Sequence, residues 1–370
     1  NELVTDRRTK ATLPGTVVIL EDAERRFVAK VAVNPHSKII GRVLDRDADA
    51  TIGASWIARR VAQAAASRQA IYASPHYRLV HAEADGLPGT IIDLFGDTAV
   101  VQPNSAWADL NFDALADAVR QSTGATTILK NLSGRARSLE GLEEASPEAT
   151  DTTGDPVPVP MNGAIYFADL LGGQKTGLFY DQRDNHAFVA NLAKGTRVLD
   201  VFSHVGGFAL AALANGAESA LAVDGSAAAL ELAQKGAEAT RVAEKFQTMT
   251  SDAFDALSAL QGEGRQFETV ICDPPAFAPH KGALEAGLRA YEKVARLAAP
   301  LVAPGGTLTL CSCSHAADLD KFRSACIRGI GRAGRNSQIL WTGFAGPDHP
   351  QHPQLAESGY LKALTFRLMP

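Results

Sequence analysis

The sequence predicts an α/β protein in which a parallel sheet with helices on both faces follows a small β domain and a mixed α+β section. Two observations support this prediction. From about residue 195 onward, strand and helix patterns alternate, as they do when each strand is connected to the next through a helix. Residues 13–48, by contrast, contain only short strand patterns. At 370 residues the chain exceeds the length at which a single core stops growing, so two or three domains are expected.

The amino-terminal part divides into two predicted domains. Short strands are predicted within residues 1–50, at "TVVIL", "RFVAKVAV" and "KIIGRVL". Residues 51–150 are predicted to form an α+β connecting domain with helices at "ASWIARRVAQAAASRQAIY" and "ADLNFDALADAVRQSTG" and strands around a turn at residues 85–89. Residues 145–160 hold four prolines and are predicted to be a linker or an exposed loop.

The third predicted domain, residues 151–370, carries the alternating pattern. Its strands are predicted at "TRVLDVF", "SALAVD", "KFQTMT", "FETVICD" and "GTLTLCS", with helices at "GGFALAALANGA", "SAAALELAQKGAEATRV" and "ALEAGLRAYEKVARLAAPLV". Ligands of open parallel sheets bind beyond the carboxyl ends of the strands. We therefore expect the functional residues where these strands end.

Acidic residues follow three of these strands. Asp200 ends the first, before a helix that opens with Gly206 and Gly207, while Asp224 ends the second and Asp252 follows the third. This spacing indicates a nucleoside site, in which Asp224 would accept ribose hydroxyls and Asp252 an adenine amino group. The loop after the first strand lacks the G-x-G-x-x-G pattern of pyrophosphate sites, and its carboxylate favours the cationic aminoacyl-sulfonium of S-adenosylmethionine. The alternative is that each aspartate only caps the following helix.

The fourth strand ends at Asp273, which is followed by Pro274, Pro275 and Phe277 in "CDPPAF". Proline donates no backbone N–H, so the neighbouring carbonyls stay available to hold a flat polar ring, and Phe277 could stack on a base. A Pro-Pro pair after a strand is also common in ordinary loops, which is the alternative.

The fifth strand ends in "LCSCSH", which contains two of the four cysteines. If the strand continued through this segment, Cys311, Cys313 and His315 would share one face. A zinc site would need a second ligand pair at metal-binding spacing, which the other cysteines do not provide, so no metal is expected.

A cysteine at this position is either a packed core residue or a nucleophile. Core packing suits Cys272 and Cys326 better than Cys313. A thiolate that adds to carbon 6 of cytosine makes carbon 5 reactive towards a methyl sulfonium, and Asp273 could assist by contacting N3 or the amino group. Cys313 is therefore the candidate nucleophile.

The overall charge of −5 does not favour a nucleic-acid partner unless basic residues cluster locally. A helix predicted at residues 318–335 places Lys321, Arg328, Arg332 and Arg335 near one face, although a solvated helix face is the alternative. No apolar stretch is long enough to span a membrane. The unevenly spaced cysteines do not suggest disulfides, so a cytoplasmic location is expected.

These motifs resemble those of the bacterial large-subunit ribosomal RNA cytosine-5 methyltransferases that carry an N-terminal PUA domain. The resemblance covers nearly the whole chain and rests on "GGQKTGLFYDQRDN", "VFSHVGGFALAAL", "CDPPAF", "LRAYEKV", "LTLCSCSH" and "YLKALTFRL". It implies a PUA-like domain, an α+β connecting domain, and a Rossmann-like methyltransferase domain with a mostly parallel seven-stranded sheet. It also implies S-adenosylmethionine as cofactor and ribosomal RNA, naked or partly assembled, as substrate.

The resemblance assigns roles to individual residues. Cys313 would be the nucleophile, Asp273 a second catalytic residue, and Pro274, Pro275 and Phe277 would contact the base. The residues implied to surround the cofactor are Thr176, Gly177, Asp181, Gln182, Arg183, Phe202, Ser203, Asp224, Ser226, Asp252 and Asp273, to which the strand-end pattern adds Asp200, Gly206 and Gly207.

The sequence also departs from this family. Ala276 stands where related cytosine-5 enzymes often carry a second cysteine, so the base that removes the carbon-5 proton is unassigned, with His315 and Cys311 as candidates. The basic "HPW" segment that opens family members is not found, and the chain starts at Asn1, which is consistent with a missing leading segment.

Two other functions fit the same sequence. A methyltransferase acting on an exocyclic amine, such as guanine N2, would transfer the methyl group directly and would not need Cys313. An RNA-binding assembly factor could keep the fold with little activity. A homodimer is a further expectation.

Overall fold

The computed structural model describes residues 3, 5–145, 148–149, 156–172 and 177–369. The chain divides into two compact units. The first comprises Asn1–Val157, Asp169–Gly177 and Asp348–Pro350, and the second comprises Pro158–Ala168, Leu178–Pro347 and Gln351–Pro370. None of the helices in the described part is long and apolar enough to cross a membrane. The predicted domain boundaries at residues 50 and 150, and the homodimer, stay predictions.

The first unit contains eight strands and five helices among its described residues. The strands are β1 (Thr16–Glu21), β2 (Phe27–Val33), β3 (Gly41–Asp45), β4 (His76–His81), β5 (Thr90–Phe95), β6 (Thr98–Pro103), β7 (Thr127–Lys130) and β8 (Glu148–Ala149). The helices are α1 (Arg7–Ala11), α2 (Ala54–Gln69), α3 (Ala106–Leu110), α4 (Phe112–Thr123) and α5 (Arg135–Leu139). They form an antiparallel three-stranded sheet, β1-β2-β3, and a five-stranded sheet, β4-β5-β6-β7-β8, in which only β6 and β7 pair in parallel.

One predicted helix of this unit is two helices in the structure. The pattern over residues 108–124 predicts a single helix, but α3 ends before Asn111 and α4 begins after it. The Asn111 side-chain amide donates to the Trp107 carbonyl at 2.7 Å. Asparagine side chains compete in this way with the backbone hydrogen bonds of a helix, which explains the break.

The second unit is built around a seven-stranded sheet. Its strands are β9 (Val157–Met161), β10 (Ala164–Ala168), β11 (Arg197–Val201), β12 (Ser219–Asp224), β13 (Phe246–Thr250), β14 (Phe267–Cys272), β15 (Val302–Ser312), β16 (Ser337–Gly343) and β17 (Lys362–Leu368). Its helices are α6 (Arg183–Leu192), α7 (Gly207–Ala214), α8 (Ala227–Ala239), α9 (Ala253–Gly262), α10 (Leu284–Ala298) and α11 (Leu319–Arg332).

The sheet has the strand order β13-β12-β11-β14-β15-β17-β16. The first five strands are parallel to one another, and β17 is antiparallel to both of its neighbours. The prediction of a mostly parallel seven-stranded sheet is therefore confirmed. Because β11 pairs with β12 on one side and β14 on the other, the strand order reverses there, which is where open α/β sheets bind their ligands.

Two parts of the predicted linker at residues 145–160 are strands, the two-residue β8 and most of β9. In β9, Val159 and Met161 are buried while Pro158 and Pro160 are exposed, which is the alternation of a strand with one buried face. Among the described strands, β9 pairs only with β10, so it is an edge strand, where a proline costs no sheet hydrogen bond. The proline content that predicts a loop is compatible with this position.

Candidate functional site

The loop between β11 and α7 has an unusual backbone. Phe202 and His204 have φ angles of 63° and 49°, and Gly206 has a φ of 80°. Residues with a side chain rarely adopt such angles, and they concentrate at binding sites. The N–H of Ser203 donates to the carbonyl of Val223 at 3.0 Å, so the neighbouring strand β12 helps to hold this shape.

Four buried oxygens of the second unit have no hydrogen-bond partner among the described residues: Asp181 Oδ1, Asn185 Oδ1, Asp200 Oδ1 and Ser203 Oγ. Such atoms are costly unless a ligand completes their bonding. The other oxygen of Asp200 accepts from the Ala209 N–H at 2.9 Å. Burial, helped by the charge of Asp224, raises the pKa of Asp200 to about 7. A cation beside Asp200 would favour its ionised form, which suits a positively charged ligand.

Asp224 connects two loops at the end of β12. Its Oδ2 accepts from the His204 N–H and its Oδ1 from the Ser226 N–H, both at 2.8 Å. The side chain of Asp224 does not cap the following helix, since that position is taken by Ser226. A carboxylate has lone pairs beyond these two bonds, so Asp224 can still accept ribose hydroxyls.

Asp252 caps the helix that follows it, which is the alternative to a ligand-binding role. Its Oδ1 accepts from the N–H groups of Phe254 at 2.8 Å and Asp255 at 3.2 Å, which begin α9. Ser226 has the same role at the start of α8, where its hydroxyl accepts from the Ala229 N–H. For both residues, contact with an adenine or a ribose would be additional to a structural role that is already explained.

A chain of hydrogen-bonded side chains, most of them buried, connects the start of α6 to the end of β14. Gln182 Nε2 donates to Asp273 Oδ2 at 2.9 Å, and Asn185 Nδ2 donates to Gln182 Oε1 at 2.7 Å, which fixes the orientation of the Gln182 amide. The Tyr360 hydroxyl donates to Asp181 Oδ2 at 2.6 Å. The structure therefore brings Gln182 and Asp273, two of the predicted site residues, into direct contact.

The other predicted residues of this motif are less closely connected. The Arg183 guanidinium lies 5.3 Å from the centroid of the Tyr180 ring. Gly177 belongs to the first unit and has a φ of 82°, and a side chain there would collide with the backbone of Asp169. Thr176 lies outside the described residues.

Cys313 is partly exposed in the loop that follows β15. The serines on either side of it, Ser312 and Ser314, are fully buried. The Ser312 hydroxyl donates to the Tyr291 hydroxyl at 2.9 Å, the Ser314 hydroxyl lies 2.8 Å from the same oxygen, and the Ala278 N–H donates to Ser314 Oγ at 2.9 Å. The loop is thus anchored on both sides of Cys313.

The expectation that Cys311, Cys313 and His315 share a strand face is wrong. The strand β15 ends at Ser312, whose hydroxyl accepts from the Ser314 N–H at 3.2 Å and so turns the chain away from the sheet. Cys311 lies inside the strand and is buried, and burial raises its pKa well above the usual range. His315 lies beyond the turn and is exposed. Cys272 and Cys326 are buried, as expected.

Phe277 lies in an aromatic cluster next to Asp273. Its ring is only partly buried, and Pro274 is buried while Pro275 is exposed. The ring centroids closest to that of Phe277 are those of Tyr291 at 5.0 Å and of Phe202 and Phe254 at 6.4 Å each. Phe277 therefore has a packing role in addition to any contact with a base.

Lys362 is a buried cation next to the Cys313 loop. It begins β17 opposite the end of β15, is 3% exposed, and donates from Nζ to the carbonyls of Ser314 at 2.7 Å and Tyr360 at 2.8 Å. Burial lowers the pKa of Lys362 to about 8, against the opposing effect of the charges on Cys313 and Asp318.

Several of these residues are not predicted by the sequence patterns. Tyr291 lies in the quoted motif "LRAYEKV" and Lys362 in "YLKALTFRL", but neither has a spacing relationship to Cys313. The only available signal was that a lysine and a tyrosine interrupt otherwise apolar buried faces, which is costly unless they have partners.

A family profile described as S-adenosylmethionine-dependent methyltransferase matches residues 94–367. The chain belongs to this family. A second profile, described as a PUA-like domain, matches residues 1–46. S-adenosylmethionine is thus the cofactor of this methyltransferase, and the partnerless oxygens of Asp181, Asp200 and Ser203 fit a ligand that carries positive charge and hydrogen-bond donors.

Relatives with established names are similar over nearly the whole chain. The "Ribosomal RNA large subunit methyltransferase I" of Pseudoalteromonas atlantica is 33% identical over 359 residues, covering 96% of this chain and 91% of its own length. The proteins of the same name from Cronobacter sakazakii and Aeromonas salmonicida are 32% and 34% identical, covering 96% and 95% of this chain and 91% and 90% of their own lengths.

Solved structures share the fold at lower identity. SMU.776, a methyltransferase complexed with SAH, has a TM-score of 0.83 at 20% identity and covers 96% of this chain and 92% of its own. A SAM-dependent methyltransferase from Streptococcus mutans has a TM-score of 0.82 at the same identity and coverage. These similarities concern the fold.

Proposed function

We propose that this methyltransferase forms 5-methylcytosine in large-subunit ribosomal RNA, with Cys313 as the covalent nucleophile. The observation that carries the proposal is the position of Cys313. Of the four cysteines, all of which the structure describes, only this one is partly exposed, and buried serines hold it at the end of a central strand. The names of the relatives support ribosomal RNA as the substrate class.

The proposed mechanism uses residues of this chain at defined atoms. S-adenosylmethionine, when bound, supplies an electrophilic methyl group. The Cys313 thiolate adds to carbon 6 of cytosine, forming a carbon–sulfur bond and making carbon 5 nucleophilic enough to accept a methyl group. Loss of the carbon-5 proton then restores the ring double bond and releases the thiolate. Asp273, oriented by Gln182, would contact N3 or the amino group of the base.

Burial distinguishes the two candidates for the residue that accepts the carbon-5 proton. Cys311 is 1% exposed and its pKa is raised, so it is a poor acceptor for a proton on a bound base. His315 is exposed in the same loop as Cys313. We therefore favour His315 of the two candidates.

The proposal extends to the cofactor site and the domains. Asp181, Asp200, Ser203 and Asp224 would bind the cofactor, because each has hydrogen-bonding capacity that the protein leaves available. The division into domains at residues 50 and 150 and a cytoplasmic location are part of the same proposal.

The test is methyl transfer from labelled S-adenosylmethionine to unmodified large-subunit ribosomal RNA, followed by analysis of the nucleosides. We expect the label in 5-methylcytidine. Label in N2-methylguanosine would replace this proposal with direct transfer to an amine. Tight cofactor binding without transfer to any RNA would instead favour an assembly factor.

A further inference from the structure

We propose that a basic groove between α10 and α11 binds the phosphate backbone of the RNA substrate. The groove has a volume of about 500 Å³ and is lined by Arg289, Glu292, Lys293, Arg296 and Arg332. The identification of the bound polyanion as RNA rests on the proposed function. The groove itself is defined by the packing of two helices.

The helix α10 contributes three cations to the groove. Arg289, Lys293 and Arg296 are spaced by four and three residues, which places them on one face, and all three are exposed. Lys293 Nζ lies 4.4 Å from the centroid of the Phe254 ring, a cation–π contact that holds its side chain along the helix surface.

The helix α11 contributes Arg332 to the lining, and a single carboxylate positions both Arg332 and the neighbouring Arg328. Glu292 is 9% exposed, and its two oxygens bond to Arg328 Nε at 3.0 Å and to Arg332. The Arg328 and Arg332 side chains are 51% and 68% exposed, so their remaining N–H groups face solvent. The lining holds four cations and one carboxylate, a net charge of +3, within a chain whose net charge is −5.

A close approach of the two helices brings these cations together. A side chain at Gly329 would lie 2.6 Å from the Cβ of Ala295, so only glycine allows α11 to approach α10 this closely. The groove is therefore part of the packed fold rather than a chance grouping of mobile side chains.

The basic helix predicted from the sequence is only partly available for RNA. Lys321 and Arg323 pair with Asp318 and Asp320 of their own helix. Arg335 is engaged with the backbone, because its guanidinium donates to the carbonyls of Ala299 at 3.2 Å and Val302 at 2.8 Å. Of the predicted face, only Arg332 lines the groove, and Arg328 lies beside it because both pair with Glu292.

The test compares two triple variants of equal charge. The first is Arg289→Gln, Lys293→Gln and Arg296→Gln, and the control is Lys194→Gln, Arg241→Gln and Lys245→Gln, three exposed cations elsewhere in the second unit. Binding of unmodified large-subunit ribosomal RNA is measured by fluorescence anisotropy at several salt concentrations, without methyl transfer.

We expect the groove variant to bind RNA at least about tenfold more weakly at 0.15 M salt. The slope of log affinity against log salt concentration should also be smaller in magnitude by about two, because two to three phosphate contacts are lost. The control should change affinity less than about threefold. If RNA binding were weakened equally in both variants, or in neither, the proposal that the groove binds RNA would be wrong. Displacement of RNA by polyglutamate at equal charge would assign the groove to an acidic protein. Failure of the intact protein to methylate RNA would count against the proposed function instead.

A second inference rests on different residues. The geometry points to Lys362 as the positioning residue that stabilises the Cys313 thiolate. Its ammonium group is buried and bonded to the carbonyl of Ser314, the residue next to Cys313. A cation beside a thiol favours the thiolate, and the attraction between the two charges is mutual. Because the pKa of Lys362 is about 8, this effect is present below about pH 8, where Lys362 keeps its proton. Among the described residues, Asp318 also acts on Lys362, and Tyr291 also faces Cys313.

The test measures the pH dependence of Cys313 alkylation by iodoacetamide, with modified peptides quantified by mass spectrometry. In Lys362→Met we expect the pKa of the Cys313 thiol to rise by about one unit or more, while Lys362→Arg keeps it within a few tenths. The three buried cysteines report unfolding, because they react only when the fold opens. If the buried cysteines react in Lys362→Met, the titration of Cys313 is measured in Lys362→Gln instead. Glutamine also removes the charge but can still donate to both carbonyls. An unchanged titration of Cys313 in a folded Met or Gln variant would refute this role. The result does not depend on which nucleoside is methylated.

Discussion

Replacing Cys313 by alanine should reduce methyl transfer to cytosine by at least about a thousandfold while leaving cofactor affinity unchanged. Without the thiolate, carbon 5 of cytosine is too electron-poor to attack the methyl group, so the loss concerns the chemical step. The measurement is single-turnover methyl transfer at saturating RNA, together with calorimetric titration of S-adenosylmethionine. Cys326→Ala is the matched control, because it removes a buried thiol of α11 and should affect stability rather than rate.

RNA that contains 5-fluorocytidine provides an independent measurement. Fluorine cannot leave carbon 5 as a cation, so the enzyme should remain covalently bound to the RNA through Cys313. We expect the covalent complex with the intact protein and with Cys326→Ala, and none with Cys313→Ala. Full activity of Cys313→Ala would leave the cysteine as a packed loop residue and favour direct transfer to nitrogen.

Replacing Asp200 by asparagine should weaken S-adenosylmethionine binding by at least about a hundredfold, or about 3 kcal/mol, because a buried cation would lose its counter-charge. Asparagine keeps an oxygen that can accept from the Ala209 N–H, so the start of α7 should be preserved. Calorimetric titration measures the effect. Glu238→Gln, which removes an exposed carboxylate of α8, should bind the cofactor normally.

The same substitution should stabilise the protein in the absence of cofactor. The pKa of Asp200 is raised by burial from 3.8 to about 7, so the folded state prefers the protonated acid and loses stability as pH rises through this range. We expect Asp200→Asn to have a higher Tm than the unmodified protein at pH 8 and a similar Tm at pH 4. An equal or lower Tm at pH 8 would contradict the assignment of an uncompensated buried carboxylate.

Cofactor binding should depend on pH for the same reason. If the bound cation requires ionised Asp200, Asp200 must release a proton on binding below pH 7. The affinity for S-adenosylmethionine should then fall by up to about tenfold for each unit by which the pH drops below 7. This dependence should be absent in Asp200→Asn. A pH-independent affinity in the unmodified protein would mean that the cation lies elsewhere.

The sequence alone predicted the fold class and the edge of the sheet that carries the site. Alternating strand and helix patterns are local, and parallel strands place their carboxyl ends at one edge, so Asp200, Asp224, Asp273 and Cys313 could be assigned to strand ends without coordinates. The resemblance to a known family added the expectation of a mostly parallel sheet of seven strands and of the PUA-like domain.

Local patterns failed where a side chain or a distant element changes the outcome. The predicted helix over residues 108–124 breaks because the side chain of Asn111 competes for a backbone carbonyl. The predicted linker contains a strand because its prolines lie on an edge, a position that only the pairing of strands determines.

The sequence by itself determined that Cys313 follows a central strand of a methyltransferase sheet. Only the tertiary structure decided that Cys313, and not Cys311, is accessible, because this depends on where β15 ends and on the hydroxyl of Tyr291, contributed by α10. The tertiary structure also decided that Lys362 lies beside the loop and that cations of α10 and α11 line one groove. These contacts join residues separated by tens of positions in the chain, and no local periodicity encodes such contacts.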